Sequence, residues 1–317
     1  MKPWRGLLAA AWLVCQPVTA ATGFSFAVFG DTPYWEAERV LLPAMLEEIA
    51  RDAPAFVVHV GDFKSGASVC DDAVFRDRLR LFDASPVPLV YTPGDNDWSD
   101  CDRVIAGGYA PEERLARLRE LFFAGEESLG RRRIALERQS RDPAFAAYRE
   151  NARWQLGRVL FFTLNVSGSN NNIGRAAAPN AEFVARSRAN RAWIDSSFAL
   201  ARRKRLAGIV IMMQADPDFE AAARGRPKAA YRALLQQLAA QVEAFPGQVV
   251  LAHGDGHVMQ VDRPLLRRGG GPLSNFTRVE TYGSPFMGWI KVTVNEAAPG
   301  LFRFESRSYP GERRGEP

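Results

Sequence analysis

The chain predicts an α/β fold, and three features carry the prediction. Apolar runs end repeatedly in Gly-Asp, the runs are near-continuous rather than alternating, and helically spaced stretches separate them. A near-continuous apolar run reads as a strand buried on both faces. Strand and helix in alternation mean parallel strands joined by crossover helices.

The strands come in order. Phe26–Asp31 is the first copy of the strand-tip phrase and Phe56–Asp62 the second. Val87–Tyr91 runs into Thr92-Pro93-Gly94-Asp95-Asn96-Asp97-Trp98-Ser99-Asp100-Cys101, and Val249–Asp255 is the fourth. A fifth run, Ile209–Met213, ends in Gln214-Ala215-Asp216 without the glycine. Phe161–Val166 reads as a further strand, and Phe276–Thr281, Trp289–Val294 and Leu301–Tyr309 as a closing set. Between them, Leu42, Met45, Leu46 and Ile49 keep helical spacing, with Pro43 tolerable near a helix start. Tyr231, Leu234, Leu235, Leu238 and Val242 repeat the pattern, and Trp193, Phe198 and Ala201 do so more weakly.

Residues 1–20 carry Lys2 and Arg5, an apolar core from Leu7 to Val14, and the small-residue site Val18-Thr19-Ala20. That is the pattern of a secretory signal, too short to span a bilayer. Val14 is too large for lipoprotein processing at Cys15. The expectation is an exported protein, periplasmic or secreted, with one domain over 21–317 and an insertion or cap around 111–150, where charge is dense and no clean period appears. Losing Lys2 and Arg5 lowers the formal charge from +5 to +3. The remaining arginines are scattered, so neither nucleic acid nor a membrane span is expected, and no protein partner is evident.

Export also frames the cysteines. Without Cys15, Cys70 and Cys101 form an even pair, and a bridge between them is expected in an oxidising compartment. It would tie two of the strand-tip loops together.

Ligands of open α/β sheets sit outside the carboxyl ends of the strands. Four carboxylates gathered there repel one another unless cations are present, and two divalent ions would balance four charges. A single Gly-Asp is ordinary turn chemistry; the repetition points to a metal site.

The order Asp31, Gly61-Asp62, Gly94-Asp95-Asn96-Asp97, Gly254-Asp255-Gly256-His257 resembles the calcineurin-like metallophosphoesterases over nearly the whole mature chain. The resemblance implies a β-sandwich flanked by helices, with two metal ions at the carboxyl ends of strands hydrolysing phosphate mono- or diesters of small molecules. Asp62 matches the carboxylate that bridges both ions, and Asp31 and His257 match ligands of the first. Asp95, Gln214 and Asp255 match ligands of the second. Pro33, Asn96, Gln214 and Asp255 each stand where the family has histidine. The oxygen-rich shell favours Mn²⁺, Mg²⁺, Ca²⁺ or iron over a zinc pair. The implied mechanism is in-line attack by a metal-bound hydroxide on phosphorus.

Asn96 occupies the position near the leaving group, where an amide donates a hydrogen bond but cannot act as a general acid. His253 is the candidate replacement, with a structural role as its alternative, and His59 reads as a hydrogen-bonded core residue. Asp97 and Asp100 are expected to orient their loop. Arg153 and Asn170 are candidate substrate contacts; a strand start and a polar loop are the plain alternatives. Loss of four histidines also supports a second reading, a weak or inactive relative that binds an anionic ligand.

Overall fold

The computed structural model describes residues 23–174 and 178–310. The secretory signal read at 1–20 lies outside them. Two mixed sheets pack face to face with helices on both outer faces. The first sheet runs in the order β12 (Phe302–Tyr309), β11 (Met287–Asn295), β1 (Gly23–Phe29), β2 (Val57–His59), β3 (Leu89–Tyr91). The second runs β4 (Glu137–Arg138), β5 (Ala152–Leu156), β6 (Val159–Thr163), β7 (Gly208–Met212), β8 (Gln248–His253), β10 (Phe276–Glu280), β9 (Gln260–Asp262).

The apolar runs are two-faced for a visible reason. On β1, Phe26 and Val28 point between the sheets, where they join Val58, Val90, Val210, Met212, Val250 and Ala252. Ala27 and Phe29 point outward onto Leu42, Met45, Leu46 and Ile49. The second sheet repeats this, with Ile209, Ile211, Val249 and Leu251 packed against Trp193, Phe198, Tyr231 and Leu238 of the helices Ala181–Arg203 and Ala229–Glu243. These central strands therefore have no polar face to show, which is what erased the alternation from their sequence.

β1, β2 and β3 are mutually parallel, as are β6, β7, β8 and β10, so the tips of β1, β2, β3, β7 and β8 can meet at the seam between the sheets. The closing set divides. β10 joins the second sheet in parallel with β8, whereas β11 returns antiparallel to β1 and β12 antiparallel to β11.

One expectation changes. Helix Glu36–Arg51 runs through Pro43 instead of beginning near it. The lost N–H is outweighed by the four buried apolar residues that hold this helix on the sheet. Helix Asp72–Asp83, capped where the Asp71 side chain accepts the Val74 N–H at 2.8 Å, had no apolar period because a buried arginine, Arg78, shares its inner face with Phe75 and Phe82. Within the charged stretch, Pro111–Phe122 is a helix whose Leu115, Leu118 and Phe122 enter the core beneath the first sheet. After it the chain runs in short turns held by ion pairs such as Arg119 to the fully buried Glu150 at 2.6 Å.

Cys70 and Cys101 are joined in a disulfide with Cα atoms 5.7 Å apart. The bridge ties the loop after β2 to the turn after β3.

Candidate functional site

The strand tips are built by close approach more than by unusual backbone. Among the glycines of the four Gly-Asp tips, only Gly61 has a left-handed φ, 107°. The others are needed for room: a Cβ on Gly94 would lie 1.9 Å from Asp62 Oδ1, and one on Gly254 would lie 2.0 Å from Asp31 Oδ2. Gly168, in the asparagine-rich loop, leaves the same space for Asp255, whose Oδ1 would be 2.3 Å from a Cβ there. The aspartates carry the strain instead, with φ of 51° at Asp31, 61° at Asp62 and 74° at Asp255.

Backbone bonds lock the tips together. Asp31 N–H donates to the Gly61 carbonyl at 2.9 Å, and Asp255 N–H donates to both Asp31 carboxylate oxygens at 3.1 and 3.2 Å. Asp97 accepts from Asp62 N, Phe63 N, Gly94 N and the Tyr91 hydroxyl, all between 2.8 and 3.0 Å. It is the internal brace of the β2 and β3 turns. Asp100 pairs with Arg103 at 2.5 Å and accepts the Ser169 hydroxyl at 2.7 Å, which joins that turn to the asparagine-rich loop. Beneath this loop, the fully buried Arg186 donates to Asn165 O, Asn171 Oδ1 and Asn171 O and lies over the Trp98 ring.

The pocket is strongly acidic. Burial raises the carboxyl groups of Asp31 and Asp62, and mutual repulsion with Asp95 adds to it. Burial also pushes Asp97 and Asp100 to about 6 and Asp255 to about 7. The Asp31 carboxylate holds the His257 imidazole up at about 9. Lys64, buried under the same turn, donates to the carbonyls of Ser65 and Ser68 at 3.1 and 3.0 Å. Burial lowers its pKa against the pull of Asp97, Asp62, Asp100 and Asp95.

The structure brings together Asp31, Asp62, Asp95, Asp255, His257, Asn96 and Gln214, and it adds Tyr34. Asp62 Oδ1 accepts Asn96 N–H at 3.0 Å. Asp62 Oδ2 accepts the Tyr34 hydroxyl at 3.1 Å, Asn96 Nδ2 at 2.8 Å and Gln214 Nε2 at 3.3 Å. His257 Nδ1 lies 2.8 Å from the Ser284 carbonyl, which can only accept, so Nε2 turns to Tyr34 Oη at 3.3 Å and Asp31 Oδ1 at 3.6 Å. Ser284 also gives its N–H to Asp31 O at 2.9 Å and its hydroxyl to Glu38 at 2.5 Å. Glu38 in turn accepts Tyr34 N–H at 2.7 Å. Tyr34, Glu38 and Ser284 had no signal in the sequence, because their roles depend on tertiary contacts across 246 positions of chain in the longest case.

Two expected residues stand elsewhere. His253 is fully buried, with Nδ1 at 2.8 Å from the Gly254 carbonyl and no partner at Nε2 among the described residues. Burial lowers its pKa, and a ring with no exposed surface cannot hand a proton to a leaving group. The alternative, a structural role, is the one its position fits. Arg153 is a sheet-edge residue paired with Glu137 at 2.5 Å and stacked 4.4 Å over Trp193, sharing no partner with the pocket. Its guanidinium is spent on the β4–β5 edge. Asn170 does lie on the loop beside the pocket, exposed, with φ of 60°. The guanidinium at the mouth is Arg103, 45% exposed. Gly66 sits between it and the pocket, since a Cβ there would come within 2.7 Å of Asn96 Oδ1 and 2.8 Å of Arg103 Nη1. His59 is a core residue bonded to Thr32 O and Gly61 N at 2.8 and 3.1 Å.

The donor set fits a cation unevenly. Among the described residues, no three carboxylate, imidazole or thiol groups stand arranged around one ion, and amide and phenol donors lie between the carboxylates. On the Asp31–His257 side two groups intervene, the Tyr34 phenol and the Asn96 amide nitrogen, which lies 2.8 Å from Asp62 Oδ2 and 3.1 Å from Tyr34 Oη and cannot coordinate a metal. On the Asp62–Asp95–Asp255 side the intervening group is the Gln214 amide nitrogen, at 3.3, 3.0 and 3.2 Å from the three carboxylates, and this cannot coordinate a metal.

No protein-family profile and no curated protein matches the chain. Solved structures share its fold, two of them as follows. A dimetal phosphatase from Danio rerio superposes with a TM-score of 0.56 at 13% identity, over 90% of this chain and 96% of that one. The purple acid phosphatase PPD1 from yellow lupin (Lupinus luteus) seeds superposes with a TM-score of 0.51 at 13% identity, over 91% of this chain. This chain spans 52% of the lupin enzyme's length.

Proposed function

We propose that this protein is an exported, metal-dependent phosphoesterase acting on small phosphate mono- or diesters. One observation carries the reading: Asp31, Asp62, Asp95, Asp255 and His257 converge at the carboxyl ends of parallel strands, in a fold shared with dimetal phosphatases. A buried cluster of carboxylates with so little opposing charge is stable when a cation joins it. Asp31, Asp62 and His257, which do not surround one point as they stand, are the groups that would have to close round the ion, which when bound would supply positive charge against the phosphoryl oxygens. The chain's own groups do the rest. Arg103 and the exposed Asn170 line the mouth as donors for phosphate oxygens, and Asp100 and Ser169 fix the guanidinium. Asn96 stands beside Asp62 as a neutral donor, able to orient an ester oxygen but not to protonate it.

Assays with aryl and alkyl monoesters and diesters, each with Mg²⁺, Mn²⁺, Ca²⁺ and Zn²⁺, test this reading. Turnover that vanishes with chelator and in Asp62→Ala is the expected result. One feature favours a second reading, a protein that binds an anion without hydrolysing it: the Asp62 carboxylate is already engaged by four donors. Saturable binding of phosphate esters with no turnover under any metal would select it. Export is checked by fractionating cells that make the full chain and sequencing the mature amino terminus.

A further inference from the structure

We propose that this protein carries a second binding site, separate from the aspartate pocket, in the groove between helix Ala229–Glu243 and the loop after β9, and that it takes one free molecule of an anionic amphiphile, a single acyl chain ending in a carboxylate or phosphate. The inference does not depend on the phosphoesterase reading.

The groove has a volume of 840 Å³, within the range of about 300–1,000 Å³ that encloses one small molecule. Arg232, Leu235, Gln236, Ala239, Ala240 and Glu243 line it from one stripe of the helix, at spacings of three and four residues. The stripe runs about 16 Å, so the site suits an elongated occupant. The facing wall is the segment after β9. Leu273 N–H donates to Leu265 O and Arg267 N–H to Gly271 O, both at 2.9 Å, which closes a hairpin. Gly269, Gly270 and Gly271 turn it with φ of 97°, 99° and 83°, values that glycine adopts without strain. Phe219, Leu235 and Leu265, each exposed by 6% or less, form an apolar floor.

The rim is basic. Arg232, Arg267 and Arg268 line the groove, are exposed, and pair with no carboxylate among the described residues. The acids of the adjoining elements are already spent, Asp218 on Lys228 at 3.4 Å, and Glu220 and Asp262 on Arg278 at 2.8 and 2.5 Å. Glu243 is the one carboxylate in the lining, and it stands at the opposite end of the helical stripe from Arg232. Guanidinium groups without an internal partner offer an anionic head charge-assisted hydrogen bonds, and the floor takes the chain. A bilayer fits the groove less well. Of the large apolar side chains that protrude from the surface, such as Val104 and Phe286, none lines it, so nothing reaches out to anchor in lipid. The occupant has to come down to a recessed floor.

The test is calorimetric titration of the full chain with sodium dodecanoate below its micelle concentration. Dodecyltrimethylammonium supplies the same chain with the opposite charge, and acetate the charge without the chain. One saturable site for dodecanoate is expected, with the ammonium compound about tenfold weaker or worse and acetate unbound. Arg267→Ser combined with Arg268→Ser should weaken dodecanoate about tenfold, the value of one charge-assisted hydrogen bond. Ala240→Trp, at an exposed position in the lining, should block the groove and abolish binding. If Ala240→Trp does not fold, the arginine pair and the charge comparison decide. No binding, many weak sites, equal binding of the two amphiphiles, or undiminished binding in either variant overturns the proposal. So does a chain that ignores dodecanoate yet binds phosphatidylglycerol vesicles or an acidic amphipathic peptide, because the groove would then serve a membrane or a protein.

Discussion

Asp97 Oδ2 accepts the backbone N–H of Asp62 at 2.9 Å, and through this bond a residue of the turn after β3 holds the tip of β2 in place. Asp97→Ala leaves four buried donors without their acceptor. The variant is expected to lose about 3–5 kcal/mol in urea unfolding. A loss within about 1 kcal/mol would mean that the turn holds itself.

His59 makes stability depend on pH. Burial lowers its pKa to about 4 from 6.5. Its contribution is therefore complete above pH 6.5 and is lost as pH falls to 4, because the unfolded chain takes the proton first. The loss is about 3 kcal/mol. His59→Gln keeps a donor for Thr32 O and an acceptor for Gly61 N. Across this window wild type should fall relative to His59→Gln by about that amount in unfolding free energy, and parallel curves would refute the assignment.

Arg103 and Arg153 separate by position. Arg103→Ala should raise KM for phosphate esters about tenfold, the value of one charge-assisted hydrogen bond, while Arg153→Ala leaves KM unchanged. Equal effects would show that the mouth has been misidentified.

Asn96 sets a leaving-group preference. With no general acid beside Asp62, aryl phosphates should be cleaved faster than alkyl phosphates. Asn96→His should raise the alkyl rate about 10²-fold if the imidazole is well placed. Equal aryl and alkyl rates in wild type would place a proton donor elsewhere in the pocket.

The Cys70–Cys101 bridge closes a loop over a sequence separation of 31. Reduction should lower stability by about 3–4 kcal/mol, read from unfolding with and without reductant. Non-reducing peptide mapping should give one joined species.

Much of this was legible in the order of residues. The tips of β1, β2, β3 and β8 could be read because a strand buried on both faces writes itself as an unbroken apolar run, and the aspartate follows at once. β4 and β9 could not, being short edge strands whose partners make them. Asp31, Asp62, Asp95 and Asp255 shared a repeated phrase, so their meeting was visible, and His257 was legible only through the resemblance. Tyr34 was not legible, because a phenol one residue after Pro33 belongs to no repeated pattern and its contacts with Asp62 and His257 are tertiary. Arg153 misled for the opposite reason: an arginine near a strand start looks available until Glu137 and Trp193 are seen around it. Gln214 was read by its oxygen, and only the Gly168 N–H reveals that its nitrogen faces inward.

β1 lies between β2 and β11, so the first strand of the described residues is flanked by one made soon after it and one made more than 250 residues later. Until residues 287–295 have been synthesised, Gly23–Phe29 has an open edge and the first sheet cannot close. An unpaired apolar edge is a template for wrong association. Chains cut short before Met287 should therefore collect as aggregates rather than as smaller folded units, and the full chain should fold late, all at once, from contacts distant in sequence.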